Sequence, residues 1–302
     1  MPQGLLGIEG VERAEIEAIL DRAKAFQPAQ GQHFQKLDTL RGRMIVNLFF
    51  ESSTRTRTSF EIAAKRLGAD AISISAAGSS MSKGESLVDT LATLAAMRPD
   101  AIVMRHAASG APHFLARHLP IPIINAGDGT HEHPTQALLD ARTILDQRPT
   151  LEGLRVSIIG DIAHSRVARS NIHLLAKFGV DIVLCGPAPL APPELAGIAP
   201  GVRITYDIRE AIRDADVIMM LRVQLERQHE AAFPAGEYFQ FYGLRLEHLG
   251  LAKPDAIVMH PGPINRGREI SSEVADSQRS VILNQVENGV AVRMAVLERI
   301  LG

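Results

Sequence analysis

The stretch Met44–Ser75, MIVNLFFESSTRTRTSFEIAAKRLGADAISIS, decides how the rest of the chain is read. It opens with seven residues, Met44 to Phe50, whose length and Ile/Val content suit a buried strand. A polar run, Glu51-Ser52-Ser53-Thr54-Arg55-Thr56-Arg57-Thr58, follows, then a segment with helical spacing from Thr58 to Leu67, stopped by Gly68. A second short apolar run begins at Ala71. Strand, polar loop, helix, strand is the grammar of a parallel βαβ unit.

The same grammar recurs outward in both directions. Further strand-like runs stand at Ala101 to Met104, Ile121 to Asn125, Arg155 to Ile159, Asp181 to Leu184, Val217 to Leu221 and Ala256 to Met259. Helical patterns fill most of the gaps, at Ser86 to Met97, Thr135 to Gln147 and Arg166 to Phe178, and an amphipathic helix at Val11 to Phe26 precedes them. Unbroken apolar strands alternating with helices imply an α/β fold with two doubly wound parallel-sheet domains and an active site in the cleft between them. The Pro/Gly-containing stretch Arg148 to Gly153 is the expected boundary, giving a first domain over 1–148 and a second over 149–285. A final helical pattern, Val281 to Leu301, is expected to return its portion from about 286 to 302 to the first domain.

Composition narrows the function. The 302 residues carry 32 Lys and Arg against 34 Asp and Glu, a net charge of −2, so no basic field exists to gather nucleic acid or an anionic membrane. The lone cysteine, Cys185, supports neither a disulfide framework nor a thiolate zinc site, which fits a reducing compartment and a cytoplasmic location. The first twenty residues meet acids before any apolar run of signal-peptide length, so neither a signal peptide nor a membrane anchor is expected. One glycine in Ile159-Gly160-Asp161 falls short of a dinucleotide fingerprint, and no phosphate-loop Gly-Lys-Ser/Thr motif or Gly-x-Ser-x-Gly elbow occurs.

In an open parallel sheet, ligands gather beyond the carboxyl ends of the strands, so the residues following each apolar run carry the most weight. After the first strand, the Ser53-Thr54-Arg55-Thr56 run can aim helix-terminal N–H groups, hydroxyls and a guanidinium at one anion; a solvated capping turn is the plainer alternative. Arg57 and Glu61 stand four apart and can pair with each other. Arg105, at the polar end of its strand, either neutralises a carboxylate or faces a ligand. His131-Glu132-His133 has a metal-like spacing, but no cysteine or His-Glu-x-x-His helix accompanies it and it runs into Pro134 at a helix start, so no metal is expected. His133 and Gln136 instead offer polar groups beside the anion site. In the second half, Arg166 and Arg222 are either surface charges or a pair facing a carboxylate-bearing ligand.

The segments Phe-Phe-Glu-Ser-Ser-Thr-Arg-Thr-Arg-Thr-Ser-Phe-Glu, Val-Met-Arg-His, His-Pro-Thr-Gln-Ala-Leu-Leu-Asp, Leu-Arg-Val-Gln-Leu-Glu-Arg and His-Pro-Gly-Pro-Ile-Asn-Arg-Gly strongly resemble the carbamoyltransferase family, in order and across essentially the whole chain. The Arg-Val-Gln and His-Pro-Gly-Pro segments resemble its aspartate-using branch, and the His-Cys-Leu-Pro segment of the ornithine-using branch has no counterpart. The resemblance implies carbamoyl transfer from carbamoyl phosphate to the α-amino group of L-aspartate in pyrimidine synthesis, without metal or organic cofactor. Carbamoyl phosphate would be bound by Ser53, Thr54, Arg55, Thr56, Arg105, His133, Gln136 and the backbone of Gly262 and Pro263, with Arg55, Arg105 and His133 catalytic. Aspartate would be held by Lys83, Arg166, Arg222 and Gln224. Ser79, or Ser80 one residue along, and Lys83 would come from a neighbouring subunit of a homotrimer, to which a regulatory chain or a dihydroorotase-like partner could attach. The rival readings are transfer to another amino acid, as in the ornithine branch, and a non-catalytic scaffold of the same fold.

Overall fold

The computed structural model describes residues 4–29, 31–75, 87–223 and 235–302. Two compact units emerge, one comprising Met1–Arg142 and Val286–Gly302, the other Thr143–Gln285. The division falls inside a helix, ahead of the Arg148 turn.

In the first unit the elements are β1 (Gly4–Leu5), α1 (Arg13–Phe26), β2 (Met44–Phe49), α2 (Thr54–Arg66), β3 (Asp70–Ser75), α3 (Leu87–Ala96), β4 (Ala101–His106), α4 (Ala111–Ala116), β5 (Ile123–Asp128) and the start of α5 (Pro134–Gln147). The second unit contains β6 (Arg155–Ile159), α6 (Arg166–Ala176), β7 (Asp181–Cys185), β8 (Val202–Thr205), α7 (Ile208–Ile212), β9 (Val217–Met220), α8 (Ala235–Tyr242), α9 (Leu246–Leu249), β10 (Ile257–Met259) and α10 (Ser272–Ala275). Helix α11 (Ile282–Leu301) ends the chain, and from Val286 onward it belongs to the first unit.

Each unit is built on a five-stranded sheet, ordered β1-β5-β4-β2-β3 in the first and β10-β9-β6-β7-β8 in the second, with every pairing parallel. The chain reverses its direction of travel across the sheet between β2 and β4 in one unit and between β6 and β9 in the other. At such a switch point the loops diverge to opposite faces and leave a crevice at the carboxyl edge. Both sheets bury their central strands on two faces: Ile45, Leu48, Ile102 and Met104 in the first, Val156, Ile158, Ile218 and Met220 in the second. Cys185 is buried at the end of β7, and desolvation pushes its thiol up to about 12. Among the described residues no helix is long and apolar enough to cross a membrane.

Several boundaries differ from the sequence expectation. Helix α2 begins at Thr54 and not at Thr58, so Thr54, Arg55 and Thr56 lie within its first turn. The extended backbone of Ser53 starts the helix, and β-branched threonines lower helix propensity without preventing entry. Arg105 and His106 are the last residues of β4, and β5 runs on through Asn125 to Asp128.

Candidate active site

The carboxyl ends of β2 and β4 meet at the first switch point. In α2 the N-cap Ser53 makes no side-chain cap hydrogen bond, so the hydroxyl and the first-turn N–H groups are not spent on each other. Thr56 is buried, whereas Thr54 and Arg55 reach solvent. A helix start carrying hydroxyls and an arginine, with no acid in its first turn, attracts a small anion. Phe49 pairs in register with Arg105, which brings Glu51 within 3.3 Å of the Arg105 Nε. The guanidinium also donates from Nη1 to the Ala126 carbonyl at 3.4 Å. Of the two roles open to Arg105, carboxylate pairing is the one observed, and the pair holds the side chain at the crevice edge.

Beyond β5 a polar knot supports His133. Asp128 has no exposed surface; its carboxylate accepts from Gly110 N–H at 2.6 Å, Asn125 Nδ2 at 2.8 Å and Glu132 N–H at 3.1 Å, and faces His131 Nδ1 at 3.0 Å. Hydrogen bonding by His131 and Asn125 holds the Asp128 carboxyl below its usual range against the opposing effect of burial, and the His131 imidazole is raised by the same contact. Gly129, at φ +45°, has no room for a side chain: a Cβ there would sit 2.7 Å from Ser109 N and 2.9 Å from Ala107 O. Ligand atoms of His113, Asp128 and His131 lie within 4.8 Å of one another, but the Asp128 oxygens are already engaged by four protein donors, which is a structural knot and not an open cation site. The metal-like spacing of His131 and His133 therefore corresponds to no shared ligand set among the described residues.

Glu132, also buried, accepts from Ile8 N–H at 2.7 Å and Glu9 N–H at 3.2 Å, lacing the N-terminal segment to this loop. His133 is buried immediately before α5, where its carbonyl receives the Gln136 N–H at 3.0 Å. One turn along, Gln136 donates from Nε2 to Asp140 Oδ1 at 2.9 Å.

The second unit repeats the arrangement at its own switch point. Ile159 at the end of β6 is registered with Met220 at the end of β9, so Arg166, at the start of α6, and Arg222, just past β9, follow adjacent strands at the same edge. Ser165 caps α6 by accepting from Ala168 N–H at 3.1 Å. Gly160 (φ +143°) lets the chain turn beside β9, where a Cβ would approach Leu221 Cβ at 2.8 Å. Arg166 is buried and Arg222 half-buried.

After β10 the loop His260-Pro261-Gly262-Pro263 contains a cis Gly262–Pro263 peptide. His260 Nδ1 accepts from Gly262 N–H at 2.8 Å, which leaves Nε2 as the protonated nitrogen, 3.3 Å from Glu269 Oε1. Glu269 accepts from Asn265 N–H, and Gln285 Oε1 accepts from His260 N–H at 2.9 Å. Both His260 and Glu269 are shut off from solvent, so the loop backbone is clamped from beneath.

Seen together, the first unit assembles Ser53, Thr54, Arg55, Thr56 and Arg105 at one switch point, with His133 and Gln136 on the loop and helix after β5. The second unit brings Arg166 and Arg222 to its own switch point. Ser79, Ser80, Lys83 and Gln224 lie outside the described residues. Sequence reading missed Glu51, Asp128, Asp140 and Glu269, each a buried or half-buried acid that holds a candidate site residue or its loop. A separate groove of about 600 Å³ between α1 and α11 holds Arg22 and Arg299, but these are paired with Glu298 and Glu15, so the groove offers no unspent positive charge.

Residues 3–146 match the family model described as the aspartate/ornithine carbamoyltransferase carbamoyl-P binding domain, and residues 152–300 match the Asp/Orn binding domain of the same family. The chain is 82% identical over 302 residues, 100% of both chains, to the aspartate carbamoyltransferase catalytic subunit of Solibacter usitatus. Among solved structures it is similar to aspartate transcarbamoylase from Trypanosoma cruzi in complex with carbamoyl phosphate and aspartate, with 32% identity, a TM-score of 0.87 and coverage of 99% of this chain and 95% of that one. Ornithine carbamoyltransferase from Pyrococcus furiosus is equally similar in fold, with 31% identity, a TM-score of 0.87 and coverage of 97% and 95%.

Proposed function

Since this chain belongs to the aspartate/ornithine carbamoyltransferase family, we propose that it transfers the carbamoyl group of carbamoyl phosphate to the α-amino group of L-aspartate, giving N-carbamoyl-L-aspartate and phosphate for pyrimidine synthesis. The observation that carries the choice of acceptor is the end-to-end 82% identity to a chain named for aspartate, because the fold alone is shared equally with an ornithine enzyme.

Ser53, Thr54, Arg55 and Thr56 hold the phosphate at the start of α2. Each charge-assisted hydrogen bond there contributes about 1.5–3 kcal/mol, so several together retain a dianion that one arginine would not. Arg105, steadied by Glu51, and His133 donate to the carbamoyl oxygen. Gln136 and the backbone of Gly262 and Pro263 address the carbamoyl nitrogen and the incoming amine. Arg166, Arg222, Gln224 and Lys83 receive the carboxylates of aspartate.

The amine attacks the carbamoyl carbon, the C–N bond forms, and the carbonyl π electrons move to oxygen. Collapse of this oxyanion breaks the C–O bond to phosphate, and the proton lost by the amine leaves with the departing phosphate. Preorganised donors at the oxyanion and the fixed approach of two substrates lower the barrier; positioning alone is worth at most about 7–11 kcal/mol. Carbamoyl phosphate and aspartate together bring a charge of roughly −3 near neutral pH. Arg55, Lys83, Arg105, Arg166 and Arg222 exceed it, so a nearly neutral chain presents a strongly cationic site. No metal and no organic cofactor enter this chemistry.

The assembly we infer is a homotrimer in which Ser79 and Lys83 of one subunit complete the site of the next. Support comes from exposed apolar side chains on the elements that flank that segment in the sequence. Strand β3 is the free edge of its sheet with Ile72 51% exposed, and on and beyond α3, Val88 and Met97 are 36% and 72% exposed. A sheet edge carrying an exposed apolar side chain is a surface that a partner covers. A regulatory chain or a dihydroorotase-like partner would bind such a trimer from outside. The lone buried cysteine and the absence of a membrane-crossing helix among the described residues favour a cytoplasmic setting. The deciding experiment supplies purified chain with carbamoyl phosphate and either aspartate or ornithine. Carbamoyl-aspartate as the dominant product is expected; preference for ornithine would move the chain to the other branch, and no turnover with either would leave the scaffold reading.

A further inference from the structure

Residues 6–12 lie between β1 and α1, outside both, and three of their backbone polar groups are met by the end of β5 and the loop that follows it. The Leu6 carbonyl accepts from Asn125 Nδ2 at 2.9 Å, and the buried Glu132 carboxylate accepts from Ile8 N–H at 2.7 Å and Glu9 N–H at 3.2 Å. Gly7 presses against the same carboxylate: a Cβ there would sit 2.4 Å from Glu132 Oε1. This strap is itself tied down, since α1 beyond it joins α11 through Arg299 and Glu15 at 2.8 Å and through Arg22 and Glu298.

Glu132 is pinned through its main chain as well. Its N–H donates to Asp128 Oδ1 at 3.1 Å, and its carbonyl accepts from Asp128 N–H at 3.1 Å. The next residue is His133, whose carbonyl receives the N–H groups of Gln136 and Ala137 at 3.0 and 3.3 Å. The peptides entering and leaving His133 are therefore both held, and a side chain's direction follows from those two planes and the rotamers they permit. A buried carboxylate is costly unless charge-assisted hydrogen bonds offset it, and an acceptor-only fork can meet two N–H donors side by side, which an amide cannot. We propose that Glu132 is a positioning residue for carbamoyl transfer: by clamping the backbone of Ile8 and Glu9 with its side chain, it fixes the main chain from which His133 donates to the carbamoyl oxygen. The inference rests on the carbamoyl-transfer reading given above.

Gly7 supplies a handle that leaves Glu132 in place. Gly7→Ala drives a methyl into the carboxylate and displaces it from Ile8 and Glu9, whereas Gly10→Ala, in the same segment with open space at its Cβ position, is the control. The measurements are kcat for carbamoyl transfer to aspartate and the affinity for inorganic phosphate, which is held at the start of α2 and not by His133. Glu132→Gln turns an amide N–H2 against one of the two backbone donors. Both it and Gly7→Ala are expected to lower kcat about tenfold, the scale of a displaced donor, while phosphate affinity changes less than about twofold. Gly10→Ala leaves both quantities unchanged. His133→Ala alone is expected to lower kcat about a hundredfold, the loss of one oxyanion donor. Added to His133→Ala, Gly7→Ala then changes kcat less than about twofold, because the group it displaces is gone; a merely structural role would repeat the tenfold loss. If Glu132→Gln fails to fold, Gly7→Ala with and without His133→Ala decides. Full kcat in Gly7→Ala, an equal loss of phosphate affinity, or a loss repeated in full beside His133→Ala overturns this inference alone. Wild-type chain that binds phosphate yet transfers no carbamoyl group to aspartate would instead remove the reading beneath it.

Discussion

At the scale of single residues, an acid places one of the site's cations: Glu51 stands 3.3 Å from the Arg105 Nε. Arg55 is exposed in the first turn of α2, so its removal leaves the core packing untouched and reports on anion binding. Arg55→Ala should weaken phosphate and carbamoyl phosphate binding by about 1.5–3 kcal/mol, read by calorimetry, with little change in melting temperature. Unchanged affinity would take Arg55 out of the cradle. The Asp128–His131 contact gives a second prediction. His131 is raised in the folded state, so its stabilising contribution is complete below the ordinary histidine value near 6.5 and fades as pH climbs through the raised value. Asp128, lowered, contributes above its ordinary value of 3.8 and loses that contribution as pH falls further. The melting temperature should therefore decline as pH rises above about 6.5 and through the raised His131 value, and His131→Asn should flatten that decline. A slope that survives the substitution would assign it elsewhere.

Among secondary-structure elements, what the sequence displays well is whatever depends on neighbours along the chain. Met44 to Phe50 reads as a strand because it is an apolar run, and the residues after it fall at the crevice because parallel strands end there. Strand β1, two residues long, and β8, whose Val-Arg-Ile-Thr is short and at an edge, lack enough length for periodicity to register. The acids that steady the site were invisible for another reason: Glu269 meets His260 and Glu132 meets Ile8 only after distant segments pack. The partner of His131 was equally out of reach of sequence spacing: its Nδ1 faces the Asp128 carboxylate at 3.0 Å. The loop after β10 offers a test. Glu269→Ala would leave the Asn265 N–H without its acceptor and remove the carboxylate 3.3 Å from His260 Nε2, at a cost of about 1–3 kcal/mol by denaturant unfolding. Loosening of Gly262 and Pro263 should also lower kcat in the fraction that remains folded. A variant with native stability would show that the clamp carries no load.

For the whole molecule, two sheets with different strand orders each place basic residues at their own reversal of winding, Arg55 and Arg105 in the first and Arg166 and Arg222 in the second. If Lys83 serves a neighbouring subunit, chains carrying Lys83→Ala and chains carrying Arg55→Ala, each nearly inactive alone, should regain activity when dissociated and reassembled together. Verified mixing with no recovery would confine each site to one subunit. If the chain forms the proposed trimer through this edge, Ile72→Lys on β3 should shift it toward smaller species by sedimentation.

Cys185 has a use that its chemistry does not advertise. Sealed behind β6 and β8 with its thiol pushed to about 12, it should stay silent toward maleimides until the protein is unfolded. Being the chain's only sulfhydryl, it leaves the native surface blank. Any thiol introduced by mutagenesis would then carry a dye or spin label without background, so that pairs of probes could follow in real time how the protein responds as each substrate arrives.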